Sequence, residues 1–446
     1  MTAHVIDSEL FGTSFAPADL RDLFSDETRV QRWFDVEAAL AAAQAELGIV
    51  PENAAQEIAR KAQVANIDLQ SIGAGIAETS HPLVPAIRAL AAVCEGEAGQ
   101  WVHYGATTQD IMDTGAILQV RDAWKILLLD LHTIREALAA HARQHAGTMM
   151  VGRTHGQQAL PITLGFKLSV WVDEIDRHLE RCAEAEKRVF VGNITGAVGT
   201  MASFGRQAID LQRRALRKLD LGVPRICWHS SRDRIVEIAS LMVQIAGTAG
   251  KIGREIYSLQ RTEINEMTEP FHGAKVGSST MPHKSNPAGA ELVFGLAQLV
   301  RGTYVSLADA LFHEHERDAG RLRIELAALP EIVIYTGACL RRMRSVAEGV
   351  RFDTANMRAN VDMLGGLLMS ERVMLALGNH VGKQRAHELV HEIAMRARES
   401  DVSFLQALSA DPRVTAHLGA EDIERLLAPE DYLGSAESIV ANVVGA

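Results

Sequence analysis

The sequence predicts an all-α protein, and three observations carry that prediction. The chain has 446 residues, 47% of them apolar but only 5% aromatic, with abundant Ala, Leu, Arg and Glu. That balance favours packed helices over sheets. Ile117, Val120, Trp124, Leu127, Leu131, Ile134 and Leu138 are spaced 3, 4, 3, 4, 3, 4. This is a heptad seam sustained over three repeats, the mark of a long helix lying nearly parallel to its neighbours. Ile238, Leu241, Ile245, Ala249, Ile252, Ile256 and Leu259 form a similar seam, spaced 3, 4, 4, 3, 4, 3, and no proline falls between Ser231 and Glu266. A helix of about 30 residues would be about 45 Å long. One small domain cannot cover it, so its seam needs other long helices, from the same chain or from other copies.

The remaining elements follow from punctuation. Further helices are expected after Pro161, Pro287 and Pro330, each proline at or just before a helix start, where its missing N–H does no harm. From about Phe352 the chain breaks into shorter helices, with Pro412 and Pro429 between them. At roughly 150 residues per domain there is room for three. The expected division is an N-terminal helical domain (1–108), a central long-helix bundle (109–351) carrying a loop at 269–287, and a C-terminal helical domain (352–446).

The net charge of −11 argues against a nucleic-acid surface. It does not exclude an anionic substrate, which local cations decide. Cys94, Cys182, Cys227 and Cys339 show neither metal-ligand spacing nor a short disulfide framework, as expected for reduced thiols in the cytoplasm. The start, Met-Thr-Ala-His-Val-Ile-Asp, lacks the basic and apolar regions of a signal peptide. No run of about 18 uninterrupted apolar residues offers a membrane span.

Three polar segments stand out. Gly277-Ser-Ser-Thr-Met-Pro-His-Lys-Ser-Asn-Pro287 is too rich in Gly and Pro for helix or central strand, yet it carries hydroxyls, the cation of Lys284 and the amide of Asn286. A nucleophile or base beside a positive charge suits a loop that closes over an anionic substrate. His103-Tyr-Gly-Ala-Thr-Thr-Gln-Asp110 precedes the first heptad helix. Its hydroxyls fit a helix cap and a carboxylate site alike, because the free N–H groups of a helix start favour an anion. Gly152-Arg-Thr-His-Gly-Gln-Gln158 offers one titratable ring, His155, in an irregular polar stretch; a lone histidine is more often structural than catalytic.

Together these segments resemble the three separated signatures of the fumarase/aspartase superfamily, whose loop reads Gly-Ser-Ser-x-Met-Pro-x-Lys-x-Asn. The resemblance covers nearly the whole chain, including Arg232-Asp-Arg234 and Leu259-Gln-Arg-Thr-Glu263, and is greatest to the adenylosuccinate lyase and 3-carboxy-cis,cis-muconate cycloisomerase branches. It implies an all-α homotetramer around a core of about twenty long helices, each active site built from three subunits.

The resemblance also implies the chemistry. Members abstract a proton next to a carboxylate and expel a group from the neighbouring carbon, usually forming fumarate. By motif position Ser278 is the base. Lys284 and Asn286 bind carboxylate, with Ser279 and Met281 beside them. Thr107, Thr108 and Gln109 hold carboxylates, Thr154 and His155 face the leaving group, and Gln260 contacts substrate. His155 serves as acid or charge stabiliser, and His81 joins it as a catalytic histidine or else caps the Pro82 segment. No metal or organic cofactor is implied. The partner is a small dicarboxylate-containing substrate, with no nucleic acid and no membrane.

Departures from the pattern narrow the branch. Where adenylosuccinate lyases carry phosphate-binding serines and an arginine, this chain has Gly320, Arg321, Leu322, Arg323 and, after Glu325, Leu326. The usual Arg-Tyr pair is absent from Phe11-Gly-Thr-Ser-Phe-Ala-Pro17. Trp228-His-Ser-Ser-Arg-Asp-Arg234, Glu314-His-Glu-Arg317 and Tyr432-Leu-Gly434 resemble the cycloisomerases, but those carry Trp in place of His155 and lack His81. The expectation is therefore a C–N lyase releasing fumarate from a small, non-nucleotide N-substituted aspartate, with Arg321 and Arg323 either meeting a carboxylate on the leaving amine or standing as solvated surface cations. The alternatives are a 3-carboxy-cis,cis-muconate cycloisomerase and a non-catalytic structural relative.

Overall fold

The structure, a computed structural model, describes residues 3–271, 277–400 and 402–445. Residues 272–276 of the loop expected at 269–287 lie outside them. The described residues form nineteen α-helices and four short strands. Six helices exceed twenty residues: α1 (Asp26–Glu46), α2 (Thr108–Gln144), α3 (Leu164–Val189), α4 (Asp233–Leu259), α5 (Ala288–Ala308) and α6 (Ala319–Gly349). The seam on α2 is buried at every position from Ile117 to Leu138, and the seam on α4 at every position from Ile238 to Leu259. Heptad spacing thus located the inner faces correctly. By length and composition α4 would also pass for a membrane span, but 67% of its apolar window is buried inside the protein.

Two compact units emerge. The first comprises Met1–His132, Arg177–Lys251 and Leu292–Met343; the second comprises Thr133–Asp176, Ile252–Glu291 and Arg344–Ala446. In the first unit, His178 Nε2 lies 2.8 Å from Thr248 Oγ1, and Arg188 binds Glu237. Residue numbers rise on α3 as they fall on α4, so the two helices run antiparallel. A smaller cluster of Ala41, Val50, Ala54, Ala55, Ile58 and Ala98 packs the N-terminal helices. In the second unit, Val373, Leu377, Ala386, Ile393, Phe404 and Ile423 are among the residues that make a separate core for the short C-terminal helices.

Two expectations about proline need correction. Pro287 directly precedes α5 as expected, but Pro330 lies well inside α6. Pro161 belongs to strand β2 (Gln157–Thr163), which pairs antiparallel with β1 (Met149–Thr154). A two-stranded sheet has only edges, so the missing N–H of a proline is tolerated there. The stretch expected to be irregular is therefore a hairpin. Met267–Thr268 pairs with Arg351–Phe352 in a second, very short sheet.

Candidate active site

The site residues expected from sequence divide between the units. His81, Thr107, Thr108, Gln109 and Arg321 belong to the first; Thr154, His155, Gln260, Ser278, Ser279, Met281, Lys284 and Asn286 belong to the second.

In the first unit, Thr108 opens α2 and Asp110 organises its start. The Asp110 carboxylate is wholly buried and accepts the backbone N–H of Thr107 at 3.1 Å, of Thr195 at 2.9 Å and of Gly196 at 2.9 Å. An acidic side chain is favoured there by the helix dipole. His229 Nε2 lies 3.0 Å from the same carboxylate. Burial opposes charge on His229, but its hydrogen bonds to Asp110 and Cys227 prevail and raise it to about 9. Cys227 is pushed up by burial, yet His229 and Thr195 outweigh this and leave it below the ordinary thiol value.

Arg317 ties the segment down. Its Nη2 donates to Thr107 Oγ1 at 3.1 Å and to Ala197 O at 2.7 Å, and its Nε donates to Gln109 Oε1 at 3.0 Å. Gln109 is 2% exposed, and its Nε2 donates to His229 O at 2.7 Å and to Asp113 Oδ2 at 3.1 Å. Both ends of this amide are committed inside the protein. Gln109 therefore anchors the segment. Asp113 in turn takes both Nη groups of Arg232, at 2.8 and 2.9 Å, while Arg232 Nε donates to Glu325 Oε1 at 2.8 Å. Burial acts against charge on Arg232, but the two carboxylates hold it above the usual guanidinium range; burial pushes the Glu325 carboxyl up against the pull of Arg232.

The tautomer of His81 follows from its neighbours. Its Nδ1 accepts the backbone N–H of Leu83 at 3.3 Å and of Val84 at 3.1 Å, so the ring proton of the neutral form is on Nε2, which lies 3.4 Å from Thr108 Oγ1. His81 thus caps the start of the helix Val84–Val93, one of the two roles expected of it, and turns a donor toward Thr108. Arg321 lies at the start of α6. Asp318 Oδ1 caps that start by accepting the N–H of Gly320 and Arg321, and the Arg321 guanidinium is a loose 3.9 Å from Asp318.

In the second unit, His155 and Gly156 are the two turn residues of the β1–β2 hairpin, with φ of 51° and 76°. Two positive φ values define a type I′ turn, which matches the twist of the flanking strands. His155 is exposed at this tip and makes no hydrogen bond among the described residues. The register shifts between Gly152 and Arg153, which pair with Leu160 and Gln158 and leave Ala159 of β2 as the extra residue of a bulge. The Arg153 guanidinium meets the fully buried Glu266 carboxylate through two bonds, at 2.7 and 2.8 Å, and Asn360 donates to the same carboxylate at 2.8 Å. This anchor holds the hairpin that carries Thr154 and His155.

The Ser278 hydroxyl accepts the N–H of Met281 at 3.0 Å and of Thr280 at 3.3 Å. Donors aimed at this oxygen favour its deprotonated form. Ser279, Met281 and Lys284 are exposed, and among the described residues Lys284 makes no ion pair. Gln260, expected to contact substrate, has both ends of its amide engaged: it accepts from Glu269 N at 2.9 Å and donates to Ser285 O at 3.0 Å. The roles of Arg317, Arg153 and Glu269 were not found by reading the sequence, although Arg317 stands within Glu314-His-Glu-Arg317.

Long paired helices carrying polar segments at their ends are the architecture of a helical lyase. A family model described as "Lyase" matches residues 14–302, and one described as "Adenylosuccinate lyase C-terminus" matches 366–443. The chain belongs to the fumarase/aspartase superfamily and is an enzyme of it. It is 45% identical over 447 residues to the N-acetyl-S-(2-succino)cysteine lyase of Dickeya dadantii, spanning 100% of this chain and 98% of that protein. Two solved structures superpose with a TM-score of 0.91 at 38% identity: a fumarate lyase from Mesorhizobium sp. BNC1, with 98% of this chain and 99% of that chain covered, and the 3-carboxy-cis,cis-muconate lactonizing enzyme of Pseudomonas putida, with 98% of each covered.

Proposed function

We propose that this enzyme releases fumarate from a small S-(2-succino) thiol of the N-acetyl-S-(2-succino)cysteine type, cleaving a C–S bond. The observation that carries the reading is the full-length 45% identity to a protein of that name. It moves the broken bond from the C–N expected from sequence to C–S and keeps the rest: a small succinyl compound, no nucleotide, fumarate as product. A thiol, with an ordinary pKa of about 8.5, leaves more readily than an amine and asks less of a general acid.

Ser278 Oγ removes a proton from the succinyl CH2. The electron pair forms the C=C bond as the C–S bond breaks, and the thiolate leaves. The amides of Thr280 and Met281, with the Lys284 cation, favour the deprotonated serine. Thr107, Thr108, Lys284 and Asn286 bind the succinyl carboxylates as their negative charge grows. His155, with Thr154 beside it, faces the departing sulfur, and His81 donates toward Thr108. Arg321 and Arg323 suit the remaining carboxylate, on the cysteine half. Each complete site draws on three subunits of a cytoplasmic homotetramer; exposed Phe294, Leu299 and Val305 on α5 support association through that helix.

The test is fumarate formation, followed by ultraviolet absorbance, from N-acetyl-S-(2-succino)cysteine, N-substituted aspartates and adenylosuccinate, with loss of 3-carboxymuconate measured in parallel. Fumarate from the thioether at the highest kcat/KM supports the reading. Preference for an N-substituted aspartate restores the C–N alternative. Carboxymuconate consumption without fumarate from any thioether replaces both with the cycloisomerase reading, which the 0.91 TM-score to the lactonizing enzyme favours as second choice.

A further inference from the structure

We infer that Gln260 and Glu269 are positioning residues that clamp the segment 277–287 from both sides and so set where Ser278 stands; this rests on Ser278 being the base. Gln260 sits at the end of a rigid element, its backbone N–H still bonded to Ile256 O at 2.9 Å as the last turn of α4 closes. From there one planar amide reaches both flanks of the loop. Oε1 accepts the N–H of Glu269 before the segment, and Nε2 donates to the carbonyl of Ser285 within it.

Glu269 adds the second tie. It is 1% exposed, and its carboxylate accepts the N–H of Gly289 at 3.1 Å and of Ala290 at 2.8 Å. These are free amides at the start of α5, where the helix dipole favours a negative charge. A Cβ at Gly289 would stand 2.9 Å from Glu269 Oε2, so a larger residue there would push this carboxylate from its place. Inside the clamp the segment folds back on itself: a Cβ at Gly277 would stand 2.1 Å from the carbonyl oxygen of Lys284. Glu269 before Ser278 and Ser285 after Lys284 are thus tied to the end of α4 through the Gln260 side chain, and Glu269 is tied to the start of α5 through its own carboxylate. Displacing a reacting group by about 1 Å costs roughly a hundredfold in rate, so loosening the clamp acts on turnover more than on binding.

Three variants of the full chain test this: Gln260→Ala, Gln260→Glu and Glu269→Gln. The glutamate at 260 can still accept from Glu269 N but opposes the Ser285 carbonyl, so it keeps one tie and breaks the other. Hydrogen exchange at the backbone amides of 277–287, measured without substrate, is expected to quicken about tenfold on loss of one or two hydrogen bonds. With N-acetyl-S-(2-succino)cysteine, kcat is expected to fall about a hundredfold at nearly constant KM. The deuterium isotope effect at the succinyl CH2 should rise, since abstraction by a misplaced base becomes slower than the other steps. Exchange at 277–287 unchanged in all soluble variants would overturn the clamp. So would a rise in KM at constant kcat, which would make Gln260 a substrate contact, or a loss of rate that tracks only the unfolded fraction with the isotope effect unmoved. Should the wild-type chain release no fumarate, the exchange measurement still decides the clamp and only the substrate reading fails.

Discussion

His229 and Asp110, 119 positions apart in the chain, are joined by a 3.0 Å contact between Nε2 and Oδ1, with both side chains shut off from solvent. Because Asp110 also holds the N–H of Thr107, the charge on a buried histidine is linked to the start of α2.

That link gives stability a pH dependence. The folded-state value of His229, about 9, exceeds its ordinary 6.5. Its contribution is therefore fully present below about 6.5 and is lost as pH rises through about 9. Urea denaturation at pH 6 and pH 9 should show a smaller loss over this range in His229→Gln than in the wild-type chain. Equal losses in both would remove His229 as the source.

His81→Asn separates capping from chemistry. Asparagine can accept the Leu83 and Val84 amides as histidine does, so stability should stay within about 0.5 kcal/mol. It lacks the ring Nε2–H, so kcat/KM should fall by about 10²-fold or more. Unchanged activity would leave His81 a cap alone.

The Arg153–Glu266 pair anchors the His155 hairpin. Arg153→Met leaves a buried carboxylate without its cation, at a cost of about 3–5 kcal/mol. Adding Glu266→Leu should recover much of that stability by removing the stranded charge. If denaturation shows no recovery, the arginine acts mainly through packing.

Gly277→Ala places a methyl against the Lys284 carbonyl, while Ser278→Ala removes the proposed base. Gly277→Ala should lower kcat about a hundredfold, and Ser278→Ala by 10²-fold to about 10⁴-fold. Both should leave the far-ultraviolet circular dichroism intact. Normal turnover by the alanine at 278 would eliminate it as the base.

Arg321→Ala probes recognition of the leaving group. Losing a charge-assisted hydrogen bond to the cysteine-half carboxylate should raise KM about ten- to a hundredfold. A substrate lacking that carboxylate should be insensitive to the substitution. An unchanged KM for the acid would assign Arg321 to capping α6 beside Asp318.

The sequence by itself determined the helical class, the inner faces of α2 and α4, and the polar segments to inspect. These are local properties: a seam at heptad spacing is written in consecutive turns, and all fourteen seam positions are buried. The sequence also showed that Pro287 precedes a helix. It did not show that Pro161 lies in a strand or that His155 forms a hairpin tip, because a proline argues against a strand unless that strand is known to be an edge. Nor did it show how polar side chains divide their bonds. Gln109 and Gln260 read as ligand contacts, yet the fold commits each amide at both ends, to Arg317, Asp113 and His229 in one case and to Glu269 and Ser285 in the other. Arg317 reaches Gln109 across 208 positions, and Arg153 reaches Glu266 across 113. Periodicity fixes which face of a helix is dry; only tertiary packing decides which buried charge finds which partner, because an unpaired one costs too much to keep.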